Sequence, residues 1–405
     1  MKISNKTSSW FTNIATIIVR EFRTIGTSYA ILLVLMGGIF VYGLLYNYMY
    51  EPNLIRNAPI AIVDQSRSTL SREYTRLIDA APQVKVFCNG SDFPAAKELM
   101  KKNEVIGIIY IPEDFETRVN RGDESIFIMY GTTDAFLYYL AMQESSTGAM
   151  LELNERYRPD MIVFLPQQDT WQITQSKAIN ISGTALYNHT EGYGSYLIPA
   201  VLMVIIFQTL LMVIGMISGD EKDTGSILQF PGKGTSLSRM SGIIIGKTFV
   251  YCFLYAIFSL FLLGLMPVVF NLPDIGNKYE IVMLMIPYLL ATCFFGLAAS
   301  AFYTDSETPL LMIAFFSVGL IFLSGVSYPL ELMPWYWKAS HFIFPAAPGT
   351  LAFVKINSMG ASIADIRQEY ITLWVQCIVY FTLACLAYRY NIKVSEKRFL
   401  LTPIR

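Results

Sequence analysis

The stretch "YLIPAVLMVIIFQTLLMVIGMI", residues 196 to 217, contains no charged side chain. A run of about 18 or more apolar residues is long enough to cross the hydrocarbon core of a bilayer as a helix. The stretch therefore predicts a membrane-spanning helix, and the segments on either side of it can be interpreted from this starting point.

The composition of the whole chain also indicates a membrane protein. Of its 405 residues, 54% are hydrophobic and 15% are charged, whereas a soluble domain carries about a quarter charged residues. The net charge of −1 gives no basis for a nucleic-acid partner. The cysteines form no Cys-x-x-Cys pair, so neither a disulfide framework nor a structural zinc site is expected.

Apolar runs of similar length recur along the chain. We predict six transmembrane helices, at residues 28–48, 196–217, 242–269, 281–303, 309–326 and 370–388. Lys and Arg residues gather before the first span, between the second and third spans, and after the last. Because such residues stay on the cytoplasmic side, both termini and the segment 218–242 are predicted to be cytoplasmic. The expected fold class is an α-helical polytopic membrane protein.

Residues 1–27 carry an amphipathic pattern. One helical face collects the apolar residues Phe11, Ile14, Ile17, Ile18, Phe22 and Ile25. Arg20, Glu21 and Arg23 lie off that face. The pattern favours a helix along the inner membrane surface, and a cytoplasmic extension of the first span fits it equally well.

Residues 49–195, between the first two spans, have a different character. Apolar, β-rich runs such as "NAPIAIVD" and "VIGIIYI" are each followed by a charged helical pattern. This alternation predicts an inserted α/β domain. Because the first two spans hold it on the side opposite to the termini, the domain is expected to be extracytoplasmic.

The polar stretch "SGDEKDTGSILQFPGKGTSLSRMSG", residues 218–242, contains "PGKGTS", which is similar to part of a phosphate-binding loop. Such a loop requires glycine five residues before its Gly-Lys pair and Ser or Thr directly after it. Ile227 and Gly234 occupy those positions. We therefore expect a flexible turn and no nucleotide site, with Glu221 and Asp223 capping the N-terminus of a short helix.

Polar side chains inside the spans are candidates for a substrate path, because their burial in hydrocarbon is costly. They are Asn47, Gln208, Thr209, Thr292, Ser317, Ser324 and Gln376. Hydrogen bonding between neighbouring helices is the alternative interpretation. No ionisable residue lies deep within a predicted span, since Lys247 is near a cytoplasmic end, and this argues against an ion-coupled pump.

Neither a metal nor another cofactor is expected. The histidines, His189 and His341, have no local partners at metal-ligand spacing. His341 falls in segment 327–350, which combines prolines with Trp335, Tyr336 and Trp337. This mixture predicts a short re-entrant or interfacial helix on the outer side, with an amphipathic loop on the bilayer as the alternative.

Four parts of the chain, taken in order, resemble the membrane subunits of type 2 ABC exporters. They are "IVDQSRSTLSREYTRLI" with "VIGIIYIPEDFETRVNRG", then "GDEKDTGSILQF", "SLSRMSGIIIGK" and "LSGVSYPLELMP". The resemblance covers nearly the whole chain and is to the multidrug-efflux-like subgroup, which has a large extracytoplasmic domain after its first span. The sequence departs at Ser226, where threonine is usual, and at Leu228, where an acidic residue is common.

The resemblance implies a permease in the inner membrane of a bacterium, without an ATPase site of its own. Its implied partners are a separate ATPase subunit, a second permease copy or paralogue, and membrane lipid. A periplasmic adaptor in contact with the outer domain is a further candidate partner. The residues implied to couple to the ATPase are Glu221, Asp223, Thr224, Gly225 and Ser226. The expected function is export of a hydrophobic or amphipathic substrate that is drug-, lipid- or peptide-like. A membrane-anchored binding or assembly protein and a secondary transporter are the alternatives.

Overall fold

The computed structural model describes residues 2–50, 55–90, 92–121, 126–131, 136–163, 193–231, 234–272 and 274–401. Two compact units form. One consists of Met1–Glu51 together with Ala185–Arg405, and the other is Pro52–Thr184. Helices make up nearly all the regular structure of the first unit, whereas the second combines a sheet with helices.

The strands of the described residues are β1 (Ala58–Asp64), β2 (Val84–Gly90), β3 (Gly107–Ile111) and β4 (Ile128–Gly131). The helices are, in chain order, α1 (Lys2–Thr27), α2 (Tyr29–Met36), α3 (Tyr42–Met49), α4 (Thr69–Asp79), α5 (Phe93–Lys101), α6 (Phe115–Arg121), α7 (Phe136–Val163), α8 (Tyr193–Asp223), α9 (Leu237–Ser259), α10 (Met266–Val269), α11 (Lys278–Ala299), α12 (Thr308–Leu323), α13 (Trp335–His341), α14 (Ala346–Met359) and α15 (Arg367–Leu401). A π-helical turn at Gly37–Val41 joins α2 to α3, and another at Leu260–Leu265 joins α9 to α10.

Within the described residues, five helical stretches are long and apolar enough to cross a membrane. They are Tyr29–Met49, Gly194–Asp223, Leu237–Val269, Lys278–Phe302 and Arg367–Arg398, and they correspond to the predicted first, second, third, fourth and sixth spans. The predicted fifth span, 309–326, forms α12, which has 16 residues. At about 1.5 Å per residue, α12 is roughly 24 Å long, short of the roughly 30 Å hydrocarbon core. The protein is thus polytopic and α-helical, and a further membrane span formed by α12 remains a prediction.

The first helix is separate from the first span. Ser28 divides α1 from α2 because its backbone is extended and its hydroxyl accepts a hydrogen bond from the Ile31 N–H at 3.5 Å. This is an N-cap, which satisfies a donor that a new helix would otherwise leave free. On α1, Ile17 and Ile25 of the predicted apolar face are buried, whereas Phe11 of the same face is exposed and Glu21, predicted off it, is buried.

Helix α8 is the most buried of the candidate spans. Within its apolar window 83% of the residues are buried, against 22% for Tyr29–Met49. Because α8 carries apolar residues on every side, it is suited to the centre of a bundle. Tyr288 of α11 donates its phenolic O–H to the carbonyl oxygen of Met203 at 2.7 Å, which links α11 to this central helix.

The segment 327–350 forms more structure than the single helix predicted there. It contains α13 and the beginning of α14, which continues to Met359. The first turn of α14 is buried, and Gly349 passes so close to the Tyr288 ring that a Cβ atom would overlap Cδ2 and Cε2. Helix α14 therefore packs into the interior of the helical unit, and the re-entrant or interfacial placement of segment 327–350 remains a prediction.

The second unit contains a sheet in the order β2-β1-β3-β4. The first three strands are parallel, and β4 runs antiparallel to β3. Helix α4 connects β1 to its neighbour β2, and α5 connects β2 to β3 on the other side of β1, as crossover connections between parallel strands. At the start of α4, Ser68 and Ser71 form a capping box, and the Ser71 hydroxyl donates to Asp64 Oδ2 at 2.7 Å.

Candidate functional site

A lysine enclosed by two glutamates lies inside the helical unit. Lys247 of α9 is fully buried, and its Nζ atom is 2.7 Å from Glu21 Oε1 and 2.8 Å from Glu221 Oε1. Glu21 belongs to α1, and Glu221 lies in the last turn of α8. Three helices that are distant in sequence are therefore joined by one ammonium group.

Arg20 and Tyr251 complete this arrangement, and we call Arg20, Glu21, Glu221, Lys247 and Tyr251 the charge cluster. The Tyr251 hydroxyl donates to Glu21 Oε2 at 2.9 Å, and Arg20 NH2 lies 3.8 Å from Glu221 Oε1. Two carboxylates face two cations, so the charges balance. Balance matters because a buried charge without a partner typically costs several kcal/mol.

Aromatic rings cover the charge cluster. The guanidinium carbon of Arg20 is 4.1 Å from the centroid of the Phe230 ring, and Arg20 NH2 also donates to the Ser226 carbonyl oxygen at 3.0 Å. Lys247 Nζ is 5.8 Å from the centroid of the Tyr388 ring on α15. Since Phe230 follows α8 in the polar segment 218–242, this segment and α15 both contact the cluster.

Glycines allow α1 to lie against α9 beside the charge cluster. A Cβ atom on Gly246 would be 2.9 Å from Ile17 Cγ2, and one on Gly242 would be 3.1 Å from Trp10 Nε1. The Trp10 indole N–H donates to the Ser238 carbonyl oxygen at 3.2 Å. The close approach of the two helices brings Glu21 within reach of Lys247.

The predicted coupling residues lie at the end of a helix, not at the start of one. Helix α8 continues to Asp223, so Glu221 and Asp223 are in its last turn and cap no helix N-terminus. This expectation was wrong because the apolar run of α8 continues as a polar helical extension. Gly225 then ends the helical course with a φ of 70°, a conformation that glycine adopts without strain.

The remaining coupling candidates differ in exposure and partners. Asp223 is exposed and lies 3.6 Å from Arg398 on α15. The Thr224 hydroxyl donates to the Asp220 carbonyl oxygen at 2.7 Å, and Ser226 supplies its carbonyl oxygen to Arg20. Glu221, in contrast, is 3% exposed, so its carboxylate faces the protein interior.

Lys222 makes a contact that the sequence did not reveal. Its ammonium group donates to the carbonyl oxygens of Ser300 at 2.6 Å, Ala301 at 3.2 Å and Tyr303 at 2.5 Å. These carbonyls follow the end of α11, where a helix has acceptors without intrahelical partners. Gly219, one turn earlier, lies against the backbone of Asp305. The end of α8 is thereby fixed to the chain between α11 and α12.

Glu21 and Lys247 were not identified from the sequence. The sequence pattern puts Glu21 on the polar face of α1 and Lys247 near a cytoplasmic end of a span. The available signal was the single lysine in "SGIIIGKTFVYCFLY", since a lysine next to an apolar run requires an acidic partner. Nothing in the sequence indicates which acidic residue that partner is, because it depends on how the helices pack.

Several of the predicted substrate-path residues bond to nearby backbone. Asn47 donates to the Gly43 carbonyl oxygen at 2.5 Å, and Thr209 donates to that of Ile205 at 2.7 Å. Ser324 donates to Ile321 at 2.6 Å. Gln376 of α15 donates instead to the Phe342 carbonyl oxygen after α13, at 2.8 Å.

The other three substrate-path candidates have no backbone hydrogen bond of this kind among the described contacts. Gln208 is half-buried in α8, and Thr292 is buried in α11 with no hydrogen-bond partner for its hydroxyl among the described residues. The Ser317 side chain lies outside the described part of the structure. A role of the seven residues in a substrate path remains a prediction.

A cavity of about 560 Å³ opens between α8, α11, α12 and α15. Its walls are aromatic and aliphatic and include Phe207, Phe295, Phe316, Phe344 and Tyr380. None of the described side chains predicted for a substrate path is part of these walls. The cavity therefore offers apolar surface to whatever occupies it.

Long apolar helices that are packed around α8 and joined by buried ion pairs define a multi-pass membrane protein. The chain belongs to the ABC-2 transporter family, because the model of that family, described as ABC-2 family transporter protein, matches residues 28–386. The linearmycin resistance permease protein LnrN of Bacillus subtilis (strain 168) is 23% identical in an alignment of 341 residues that covers 76% of this chain and 81% of that protein. The chain is accordingly a transporter permease subunit, and its family implies an ATPase partner.

Proposed function

We propose that this permease exports a hydrophobic or amphipathic molecule, and that the charge cluster transmits movement from the ATPase to the spans. The observation that carries the proposal is the contact of Lys247 with both Glu21 and Glu221. Through this contact α1, the end of α8 and the beginning of α9 move as one body. All three lie on the side that the positive residues assign to the cytoplasm.

The direction and class of transport rest on two further features. The cavity beside α8 is lined by apolar and aromatic side chains, which suits a hydrophobic or amphipathic molecule. The similar protein of Bacillus subtilis is named a resistance permease for linearmycin. Drug-, lipid- and peptide-like substrates all fit such a cavity, and we extend only the class of substrate to this chain.

The arrangement in the membrane follows from the same proposal. Helix α12 completes six spans by crossing a locally thinned part of the bilayer, for which a short helix is suited. Two copies, or this chain and a paralogue, form the pathway, with both termini in the bacterial cytoplasm. The α/β unit Pro52–Thr184 lies outside the inner membrane, where a periplasmic adaptor has access to it.

Binding of the ATPase is assigned to the surface next to the charge cluster. Asp223, Thr224 and Gly225 are at the end of α8, and the Asp223 side chain is 60% exposed. Glu221 acts from behind this surface, because its carboxylate binds Lys247. A push on the exposed turn would therefore reach α1 and α9 through Glu221, as a rigid-body change of packing.

The test measures ATP hydrolysis and transport together, in vesicles that contain the permease and its ATPase subunit. The double variant Lys247→Met/Glu221→Gln removes one positive and one negative charge, so the cluster stays balanced while its central contact is lost. We expect it to insert, to bind the ATPase and to hydrolyse ATP, but to transport substrate much more slowly. Transport at the unmodified rate would overturn the role of the cluster, and absence of any ATPase partner would overturn the exporter itself.

A binding or assembly role of the extracytoplasmic unit, in addition to transport, is the second candidate, and the α/β unit is the observation that favours it. That unit has a hydrophobic core of its own, which includes Ile60, Tyr74 and Phe115. Removal of residues 55–163 would abolish partner binding in that role. A permease would keep its ATPase after the same deletion, so co-purification of the ATPase separates the two functions.

A further inference from the structure

A second groove, of about 640 Å³, runs between α9 and α11. Cys252, Leu260 and Gly264 form part of one wall, and Val282 and Ile286 form part of the other. Both walls belong to candidate membrane spans, Leu237–Val269 and Lys278–Phe302. Since lipid chains surround such spans, the groove opens onto an apolar medium and not onto water.

One end of the groove carries an ammonium group, that of Lys278, which is paired with a carboxylate. Lys278 is the first residue of α11 and also lines the groove. Its ammonium group forms an ion pair with Asp274, and the lysine side chain remains 61% exposed. An ammonium group has three N–H donors, so donors remain for a further acceptor. The other described lining residues are apolar except for Cys252 and Ser259.

The length of the groove matches one leaflet of a bilayer. Its wall on α11 extends from Lys278 to Leu290, which at about 1.5 Å per residue corresponds to roughly 18 Å. A leaflet contributes about half of the roughly 30 Å hydrocarbon core. A cation at one end of an apolar trough of this length is complementary to a phosphate joined to an acyl chain.

We propose that this groove is a binding site for a phospholipid, with the phosphate at Lys278 and an acyl chain along α9 and α11. The Ser259 hydroxyl already donates to the Tyr255 carbonyl oxygen at 2.6 Å. The group that would bind a polar headgroup is therefore the Lys278 ammonium group. Asp274 balances the lysine charge, and zwitterionic and anionic headgroups therefore bind equally well. The proposal requires only that the chain is in a membrane, and it holds for any transported substrate.

Gly264 provides a substitution that fills the groove. A Cβ atom built on Gly264 meets nothing within 4 Å, so Gly264→Leu places its side chain in the groove without a clash at the first atom. Gly37 is a matched control, because it also lies in a π-helical turn and also has nothing within 4 Å. Gly37 is not among the residues that line the groove.

The experiment is native mass spectrometry of the full chain, purified in detergent, delipidated and then supplied with defined lipids. We expect one tightly retained phosphatidylethanolamine or phosphatidylglycerol per chain, and no retained diacylglycerol, which lacks the phosphate. Gly264→Leu should lose this lipid and Gly37→Leu should keep it. Lys278→Gln should lose the preference for phospholipid over diacylglycerol.

Alkylation of Cys252 by N-ethylmaleimide gives a second readout that needs no substitution, because Cys252 lines the groove and is only half-buried. Bound phospholipid should slow its alkylation, measured on the peptide that contains Cys252. Equal alkylation with and without phospholipid would overturn the proposal, as would equal lipid retention by Gly264→Leu. If Gly264→Leu instead separates two copies of the chain, the groove is a protein interface and the proposal is also wrong.

Discussion

Lys247 Nζ lies 2.7 Å from Glu21 Oε1, and both side chains are entirely buried. Removal of one partner from a buried ion pair costs about 3–5 kcal/mol, because the other charge is left without compensation. Lys247→Met should therefore lower the thermal midpoint of the purified chain in detergent, measured by tryptophan fluorescence. Lys393→Met is the control, since Lys393 is exposed. The double variant Lys247→Met/Glu221→Gln should recover part of the loss, and a midpoint as low as that of the single variant would contradict the charge balance.

Charge reversal should have different effects at Glu221 and at Asp223, which are two positions apart in the sequence. Glu221→Lys places a second cation beside buried Lys247, and we expect little correctly inserted protein from it. Asp223→Lys affects an exposed pair with Arg398 at 3.6 Å, and such pairs contribute about 0–1 kcal/mol. Asp223→Lys should insert normally and weaken only ATPase binding. Expression yield and size-exclusion profiles measure the first effect, and co-purification measures the second.

Lys222 should stabilise the contact between the end of α8 and the residues that follow α11. Lys222→Met leaves the carbonyl oxygens of Ser300, Ala301 and Tyr303 without this donor. A lost partner for a partly buried polar group costs about 1–3 kcal/mol. The expected result is faster hydrogen exchange at the end of α11, measured by mass spectrometry, with Lys393→Met as the reference. Unchanged exchange in residues 294–303 would show that the three contacts are not formed.

Gly349 should tolerate no side chain. Gly349→Ala introduces a Cβ atom that overlaps the Tyr288 ring, and overpacking of this kind costs about 1–3 kcal/mol. Gly37→Ala is the matched control, because its Cβ atom meets nothing within 4 Å and its φ of −62° is helical. The first variant should unfold at a lower temperature than the second, and equal midpoints would contradict the packing of α14 against α11.

The stability of the first turn of α12 should depend on pH because of Asp305. Hydrogen bonds from the Thr308 N–H at 2.7 Å and from its hydroxyl lower the pKa of Asp305 from 3.8 to about 2. A lowered pKa means that the stabilisation is complete above pH 3.8 and is lost as the pH falls towards about 2. At neutral pH the first turn of α12 should exchange its amide hydrogens more slowly in the unmodified chain than in Asp305→Ala. This difference should shrink as the pH falls from 3.8 through about 2, and an undiminished difference at about pH 2 would contradict the role of the carboxylate.

Some features could be predicted because they depend on short stretches of sequence. Uncharged apolar runs predicted five helices that are long enough to span a membrane. The absence of a phosphate-binding loop stays a prediction, which rests on Ile227 standing where that loop requires glycine. The predicted span 309–326 extends beyond the helix, because α12 ends at Leu323 and Gly325, with a φ of 84°, leaves the helical conformation.

The sequence by itself determined the kind of protein, since hydropathy and spacing are properties of neighbouring residues. Only the tertiary structure decided that Lys247 belongs with Glu21 and Glu221, that Lys222 holds the end of α11, and that Gly349 lies on Tyr288. These pairs come from separate helices, and their contact depends on how each helix is rotated and how closely two backbones approach. Packing fixes the rotation of each helix and the distance between the backbones, and neither can be predicted from the periodicity of a single helix.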